Sequence, residues 1–259
     1  MFVKRSAEAP QAFFACEVAG LQWLSAVDGG VPCARVLAHD ETSLTLERLK
    51  AAAPTRAGAH EFGQRLARTH DAGADAFGAP PHGWAGPGYF GPLHRPLPMS
   101  YSTAHRWGSF YAHERLAPMA DLAATRLNPP ARDAVDAVMA RCDAGDFDDD
   151  DPPARLHGDL WSGNVMWTPG GAVLIDPAAH GGHRETDLAM LALFGCPHLD
   201  AVIEGYQGQR PLCDGWRDRV GLHQLYPLLA HVVLFGGGYA SQTLAAATSA
   251  LRAGEQRFS

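Results

Sequence analysis

The run His157-Gly-Asp-Leu-Trp-Ser-Gly-Asn164, followed twelve residues later by Asp176, sets three oxygen-bearing side chains at a spacing suited to phosphoryl transfer. Asp159 and Asn164 stand five apart, the H-x-D-x-x-x-x-N pattern of loops that catalyse that reaction. An aspartate at the first position can orient an acceptor hydroxyl and take its proton. Asn164 and Asp176 offer hard oxygen ligands to Mg²⁺ bridging the phosphates of ATP. An amide in place of one carboxylate limits like-charge crowding beside a triphosphate and keeps a ligand oxygen. Gly, Asp, Asn and Pro also favour turns, so either string alone reads equally well as a turn. Loop, spacing, hairpin and second acid in that order point to chemistry.

The elements that must hold these residues are legible in outline. Val165-Met-Trp167 and Ala172–Ile175 flank Thr168-Pro-Gly-Gly171, which predicts a hairpin leading to Asp176. Upstream, the first half-dozen residues read as part of a strand. A helix is predicted from Pro10 to Val27, with Phe13, Phe14, Val18, Leu21 and Leu24 on one stripe. Strands follow at Ala34–Ala38 and Ser43–Arg48. Thr55–Asp71 reads as a helix whose inner face carries Phe62, Leu66 and His70. Residues 73–100 hold many Gly and Pro without periodicity, the mark of a functional loop or an insertion. Helices are expected at Tyr101–Leu116 and Ala131–Cys142. The acidic run Asp146–Pro153 reads as a solvated connector, because its like charges repel and its prolines resist helix. From Glu185 the pattern is helical, with a long apolar stretch over Leu222–Leu251. No internal repeat is visible. These elements predict an α+β chain of two parts: residues 1–50, small and strand-rich, and residues 51–259, larger and mostly helical.

Bulk properties narrow the class. The 259 residues are 46% hydrophobic and 19% charged, ordinary for a globular protein, and suffice for one large domain or two modest ones. A net charge of −7 argues against nucleic-acid partners, which require a basic excess. The cysteines at 16, 33, 142, 196 and 213 form no CxxC pair and fit reduced thiols in a cytoplasmic protein. No apolar run follows the charges at the N-terminus, and no 18-residue apolar stretch exists, so neither a signal peptide nor a membrane span is expected.

Other features are weaker. His180-Gly-Gly-His183 has no third metal ligand at a recognisable spacing and is not read as a metal site; His183, Arg184 and Glu185 are expected to reach polar groups of the acceptor. Asp187 opens a helix, where a carboxylate is favourable in any case; bracing of the catalytic loop, an equal alternative, is what the family resemblance given below implies. Gly236-Gly-Gly238 lacks the Lys-Ser/Thr of a phosphate loop and reads as close packing or a kink beside the cleft. His231 and Tyr239 read as core or cleft wall. Trp107, Phe110 and Tyr111 read as core.

The strings LHGDLWSGN, LIDPAAHGGHRETDLAM and LFGGGY resemble the fructosamine kinase (ketosamine-3-kinase) family, within the wider aminoglycoside and choline kinase-like fold. EVAGLQWL, LERL, FGQRLARTH and WGSFYAHERLAP extend the resemblance through the front of the chain, and the Trp-Ser after GDL points to this family over its kinase relatives. The resemblance implies a bilobal protein kinase-like fold, ATP and Mg²⁺ as cofactors, and a ketosamine substrate, fructosamine or ribulosamine, free or lysine-attached. The implied reaction phosphorylates the 3-hydroxyl and so releases the amine. Asp159 would be the base, and Asn164 and Asp176 would hold Mg²⁺. Lys4 would contact the phosphates and pair with Glu17, Glu47 to Leu49 would be the hinge that receives adenine, and Trp161 would lie beside the sugar. An aminoglycoside- or choline-like acceptor is the neighbouring alternative. Family members carry two strands and a phosphate-covering loop ahead of the lysine strand, whereas three residues precede Lys4, so the small lobe reads as truncated. A late start site, a shortened working kinase and a non-catalytic nucleotide-binding relic all fit, and the intact catalytic and metal residues favour the first.

Overall fold

Alternation of Leu44 and Leu46 buries one face of β3 (Ser43–Leu46), the middle strand of a three-stranded antiparallel sheet. β1 (Phe2–Arg5) flanks it on one side, with Lys4 opposite Leu44, and β2 (Val36–His39) on the other. Helix α1 (Phe13–Ser25) buries Phe13, Phe14, Val18, Leu21 and Leu24, the predicted stripe. The computed structural model describes residues 1–256.

This front part does not have a core of its own. Ala34 N–H donates to the Leu174 carbonyl at 2.9 Å, and Leu174 N–H to Pro32 at 2.8 Å. These bonds fasten the front to the hairpin of β7 (Val165–Thr168) and β8 (Gly171–Leu174). One apolar cluster therefore joins Phe14, Leu24, Leu44 and Leu46 to Phe62 and Leu66 of α2 (Arg56–Asp71), Leu160 and Leu174. It reaches Val202 and Tyr206 of α7 (Leu199–Gln209). The apolar cluster therefore runs across the change of character near residue 50. Thr55 caps α2, its side chain accepting Gly58 N–H at 3.0 Å, so the helix expected from Thr55 begins at Arg56.

The second cluster is helical. α3 (Trp107–Phe110) passes through a π-type segment (Tyr111–Leu116) into α4 (Ala117–Ala123), so the helix expected from Tyr101 begins later and runs further. Trp107, Phe110 and Tyr111 are core, as read from the sequence. They pack with α5 (Pro129–Ala144), capped by Asn128, and with α8 (Trp216–Phe235) and α9 (Ala240–Gln256). Leu222–Leu251 is thus two helices. Gly236, at φ +96°, ends the first, and a 3₁₀ turn (Gly237–Tyr239) leads into the second.

Two loop expectations are corrected. Residues 73–100 contain a short hairpin, β4 (Gly88–Phe90) with β5 (Leu97–Met99), too short and proline-marked to show a period in sequence. The acidic run is not a solvated connector. Phe147 is buried, Asp148 accepts Gly108 N–H at 2.7 Å, and buried Asp151 pairs with Arg184 at 2.5 Å. Its charges repel less than predicted because arginines from distant segments neutralise them. β6 (Ala154–Leu156) then pairs with β9 (His180–Gly182), and α6 (Glu185–Leu193) follows. Among the described residues, no helix is long and apolar enough to cross a membrane.

Candidate active site

β6 delivers the chain to His157, and a tight turn at Gly158 (φ +81°) follows. A Cβ on Gly158 would lie 2.1 Å from the Ala178 carbonyl oxygen, so only glycine lets this loop lie against the segment after Asp176. Asp187, at the start of α6, accepts the N–H groups of His157 (2.8 Å) and Gly158 (3.0 Å) and contacts His70 Nε2 at 3.2 Å. Burial works to raise Asp187, but the bonds from His70 and His157 outweigh it and hold the carboxyl below its ordinary range. Of the two roles weighed for Asp187, the loop brace is the one this geometry supports.

His157 accepts Asp159 N–H through Nδ1 at 3.2 Å and donates from Nε2 to the Ile175 carbonyl at 2.9 Å. Burial keeps its pKa below the usual histidine value, consistent with a neutral ring in these two roles. A 3₁₀ turn (Ser162–Asn164) carries Asn164, whose Nδ2 donates to the Asp159 carbonyl (2.8 Å) and carboxylate (3.2 Å). These bonds use the amide nitrogen and not Oδ1. Ile175 N–H donates to the Asn164 carbonyl at 3.1 Å, and Asp176 follows at φ +56°, a left-handed conformation that Asp tolerates better than most residues. Asp159, Asn164 and Asp176 thus converge. Burial, aided by the charges of Asp176 and Asp187 and opposed by the Asn164 bond, pushes the Asp159 carboxyl up to about 7.

Lys4 joins them from the front. Its ammonium pairs with Glu17 at 2.6 Å and with Asp176. Burial works to lower the Lys4 pKa, but the two carboxylates outweigh it and hold it above its ordinary range. β1 and α1 position this pair, the one implied only by resemblance.

All five of these residues and Trp161 line one cavity of about 560 Å³. Trp161 is 39% exposed at its wall, edge-on to Phe194 at 6.3 Å between ring centroids. His231, Phe235 and Tyr239, from the end of α8 and the 3₁₀ turn, extend the aromatic side. Tyr89 to Leu93, on the β4–β5 hairpin, close another side. These last residues sequence reading missed; the aromatic pair Tyr89-Phe90 before Gly91-Pro92 was the available signal.

Two pairs of predicted residues lie elsewhere. His183 and Glu185 do not line the cavity, correcting their expected acceptor role: both are buried, His183 against Asp149 (3.2 Å) and Glu185 against Arg219 (2.5 and 2.9 Å). The turn into α6 points them inward, toward the counter-charges that let them be buried. Glu47 and Leu49 are also outside it. Glu47 exchanges two bonds of 2.9 Å with the Arg35 backbone, and Leu49 packs on the front core.

The comparisons agree with this architecture. The family model described as fructosamine kinase matches residues 1–253. A "probable ketoamine kinase" of Synechocystis sp. is 34% identical over 246 residues, covering 93% of this chain and 79% of the relative. The crystal structure of a "putative fructosamine-3-kinase" from Thermobifida fusca is 46% identical and superposes with a TM-score of 0.88, over 97% of this chain and 85% of that one. A choline/ethanolamine kinase family structure from Mesorhizobium loti shares the fold (TM-score 0.60, 14% identity, 99% and 93% covered). With the protein kinase-like fold and a match over nearly its whole length, the chain belongs to the fructosamine kinase family.

Proposed function

We propose that the chain transfers the γ-phosphoryl group of ATP to the 3-hydroxyl of a ketosamine, a fructosamine or ribulosamine, free or lysine-attached, as a deglycation step. The observation that carries this reading is the convergence of Asp159, Asn164 and Asp176 on one cavity shared with Lys4 and Trp161. Asp159 accepts the proton of the acceptor hydroxyl; a carboxyl held near neutrality is a well-matched base at physiological pH. Asn164 Oδ1 and the Asp176 carboxylate make a hard oxygen donor set that fits Mg²⁺, which when bound would neutralise charge developing on the phosphates. Lys4, steadied by Glu17, orients the phosphates. Trp161 offers the sugar a flat apolar face. The five cysteines are unpaired, which suits a reducing compartment such as the cytoplasm.

The test is an acceptor panel with labelled Mg-ATP: fructosamine, ribulosamine, a glycated peptide, an aminoglycoside and choline. Phosphate should appear on the ketosamines, at the 3-position by NMR. Turnover on the aminoglycoside or choline alone would replace the ketosamine reading, and Mg-ATP binding without turnover on any acceptor would replace the enzyme reading.

A further inference from the structure

The β4–β5 hairpin is tied to both sides of the cavity. At the front, Tyr89 packs on Phe13 of α1, 5.4 Å between ring centroids, and its hydroxyl donates to the Gln11 carbonyl at 2.9 Å. On the other side the hairpin runs along α8. Phe90 lies edge-on to Tyr226 at 4.9 Å between ring centroids, and Gly91, at φ +91°, brings the turn against Leu234. Arg95 Nη1 then donates to the Leu234 carbonyl at 3.0 Å. That carbonyl stands in the last turn of α8, where the helix supplies no donor and a cation suits the negative end of the helix dipole. Arg126 holds the neighbouring carbonyls of Val232 and Val233, so of the two arginines it is Arg95 that reaches the helix end from the hairpin.

Charge divides the cavity. Among the described residues, its charged lining groups are Lys4, Glu17, Asp159 and Asp176, which belong to the phosphoryl-transfer end. Where the hairpin meets α8 the lining is Leu93, Phe194, Leu234 and Phe235. His231 adds no charge to this part: burial holds its pKa below the ordinary histidine value, and its Nδ1 faces the Pro227 carbonyl at 2.7 Å. Phe235 is 59% exposed, apolar surface of the kind that marks a binding site. An ammonium group meets no carboxylate there, whereas each methylene buried against such a wall is worth about 4-fold in affinity.

We propose that Arg95 is a positioning residue that fastens the hairpin to α8, and that the apolar compartment so formed takes the aliphatic N-substituent of a ketosamine. The identity of this occupant rests on the ketosamine reading above. In such an acceptor the amine sits on C1, so its substituent can extend along the apolar wall while the 3-hydroxyl meets Asp159. A glycated lysine brings a run of methylenes next to that amine. An aminoglycoside carries ammonium groups along its length and does not suit the wall. Arg95 uses a single nitrogen for its bond, so a lysine ammonium can stand in for it.

The test is a series of N-alkyl fructosamines, from methyl to hexyl, assayed with saturating Mg-ATP. Wild-type KM should fall as the chain lengthens, by up to about 4-fold per methylene. Arg95→Ala, a change at an exposed side chain, should raise KM for the N-hexyl compound about 10-fold, the worth of roughly two methylenes. KM for the N-methyl compound, KM for ATP and kcat should change little, and Arg95→Lys should recover most of the loss. A wild-type KM that ignores chain length overturns the proposal, as does an Arg95→Ala variant that shifts every acceptor and kcat alike. Hydrogen exchange gives a reading that needs no acceptor: peptides spanning the hairpin and the end of α8 should lose protection together in Arg95→Ala. Should the wild-type chain phosphorylate no fructosamine, the ketosamine reading falls by itself, and unchanged exchange in Arg95→Ala then overturns the fastening role as well.

Discussion

Nε2 of His157 lies 2.9 Å from the carbonyl oxygen of Ile175, while Nδ1 of the same ring receives the amide of Asp159. One imidazole thus sets the distance between the proposed base and the strand end that presents Asp176. Replacing it with leucine removes both bonds and frees the two loops to drift. A misplacement on the order of 1 Å costs about 10²-fold in rate, and His157→Leu should lower kcat by about that much. Nucleotide affinity, which does not depend on where the acceptor hydroxyl meets its base, should change little. Steady-state kinetics with calorimetric titration of Mg-ATP, at a temperature where circular dichroism shows the variant folded, would check this. An unchanged kcat removes His157 from the positioning role.

Asp159 carries a pH signature. Burial raises its carboxyl to about 7, so the base is increasingly protonated below neutrality, and kcat/KM should fall with an acid limb near that value. Asp159→Asn should lose about 10²–10⁴-fold in kcat and abolish the limb. The same shift acts on stability. A carboxyl whose folded pKa lies above its unfolded value favours the native state below the unfolded pKa and loses that contribution as pH rises through about 7. Asp159→Asn should therefore raise Tm at pH 8 relative to the parent and leave it little changed near pH 4. Equal Tm values at pH 8 would place the group in water.

Much of this arrangement could be read from residue types alone, because the catalytic loop is local. The spacing of Asp159 and Asn164 lies within one turn, and Thr168-Pro-Gly-Gly171 sets the hairpin that ends at Asp176. The stripes on α1 and α2 were legible for the same reason, since a helix face repeats every 3.6 residues. What escaped was set by tertiary partners. Asp148 and Asp151 look solvated until Gly108 N–H and Arg184 arrive from elsewhere in the chain. His183 and Glu185 look like site residues until the fold turns them toward Asp149 and Arg219. The β4–β5 hairpin has three residues a side, too few to show alternation.

Lys4 and Glu17 permit a thermodynamic test of the front of the cavity. Their side chains are only 13% and 7% exposed, so Lys4→Met strands a buried carboxylate. Breaking one side of such a pair costs about 3–5 kcal/mol, which urea denaturation would show as a lower midpoint at similar slope. Combining it with Glu17→Gln should restore most of the loss, because Asp176, at 41% exposure, can be solvated without Lys4. Additive losses in the double variant would mean that the two residues do not act as a pair. Both single variants should also weaken Mg-ATP binding.

Trp161 separates acceptor recognition from nucleotide chemistry. Its ring lies over Gly163, where an added Cβ would come within 2.2 Å of the indole, and stands edge-on to Phe194. This contact fixes the exposed ring at the cavity wall without burying it. An aromatic contact of about 0.5–1.5 kcal/mol corresponds to a change of about 2- to 12-fold, and Trp161→Ala should raise the acceptor KM within that range. KM for ATP should hold, since Lys4, Asn164 and Asp176 are untouched, and Tm should move little because the ring is exposed. Gly163→Ala offers a second route to the same result, because it must displace the indole while leaving every group that reaches the phosphates in place. Matching acceptor-specific effects in both variants would assign the sugar-facing role to the ring itself, whereas an acceptor KM insensitive to Trp161→Ala would move recognition to the aromatic side formed by His231, Phe235 and Tyr239.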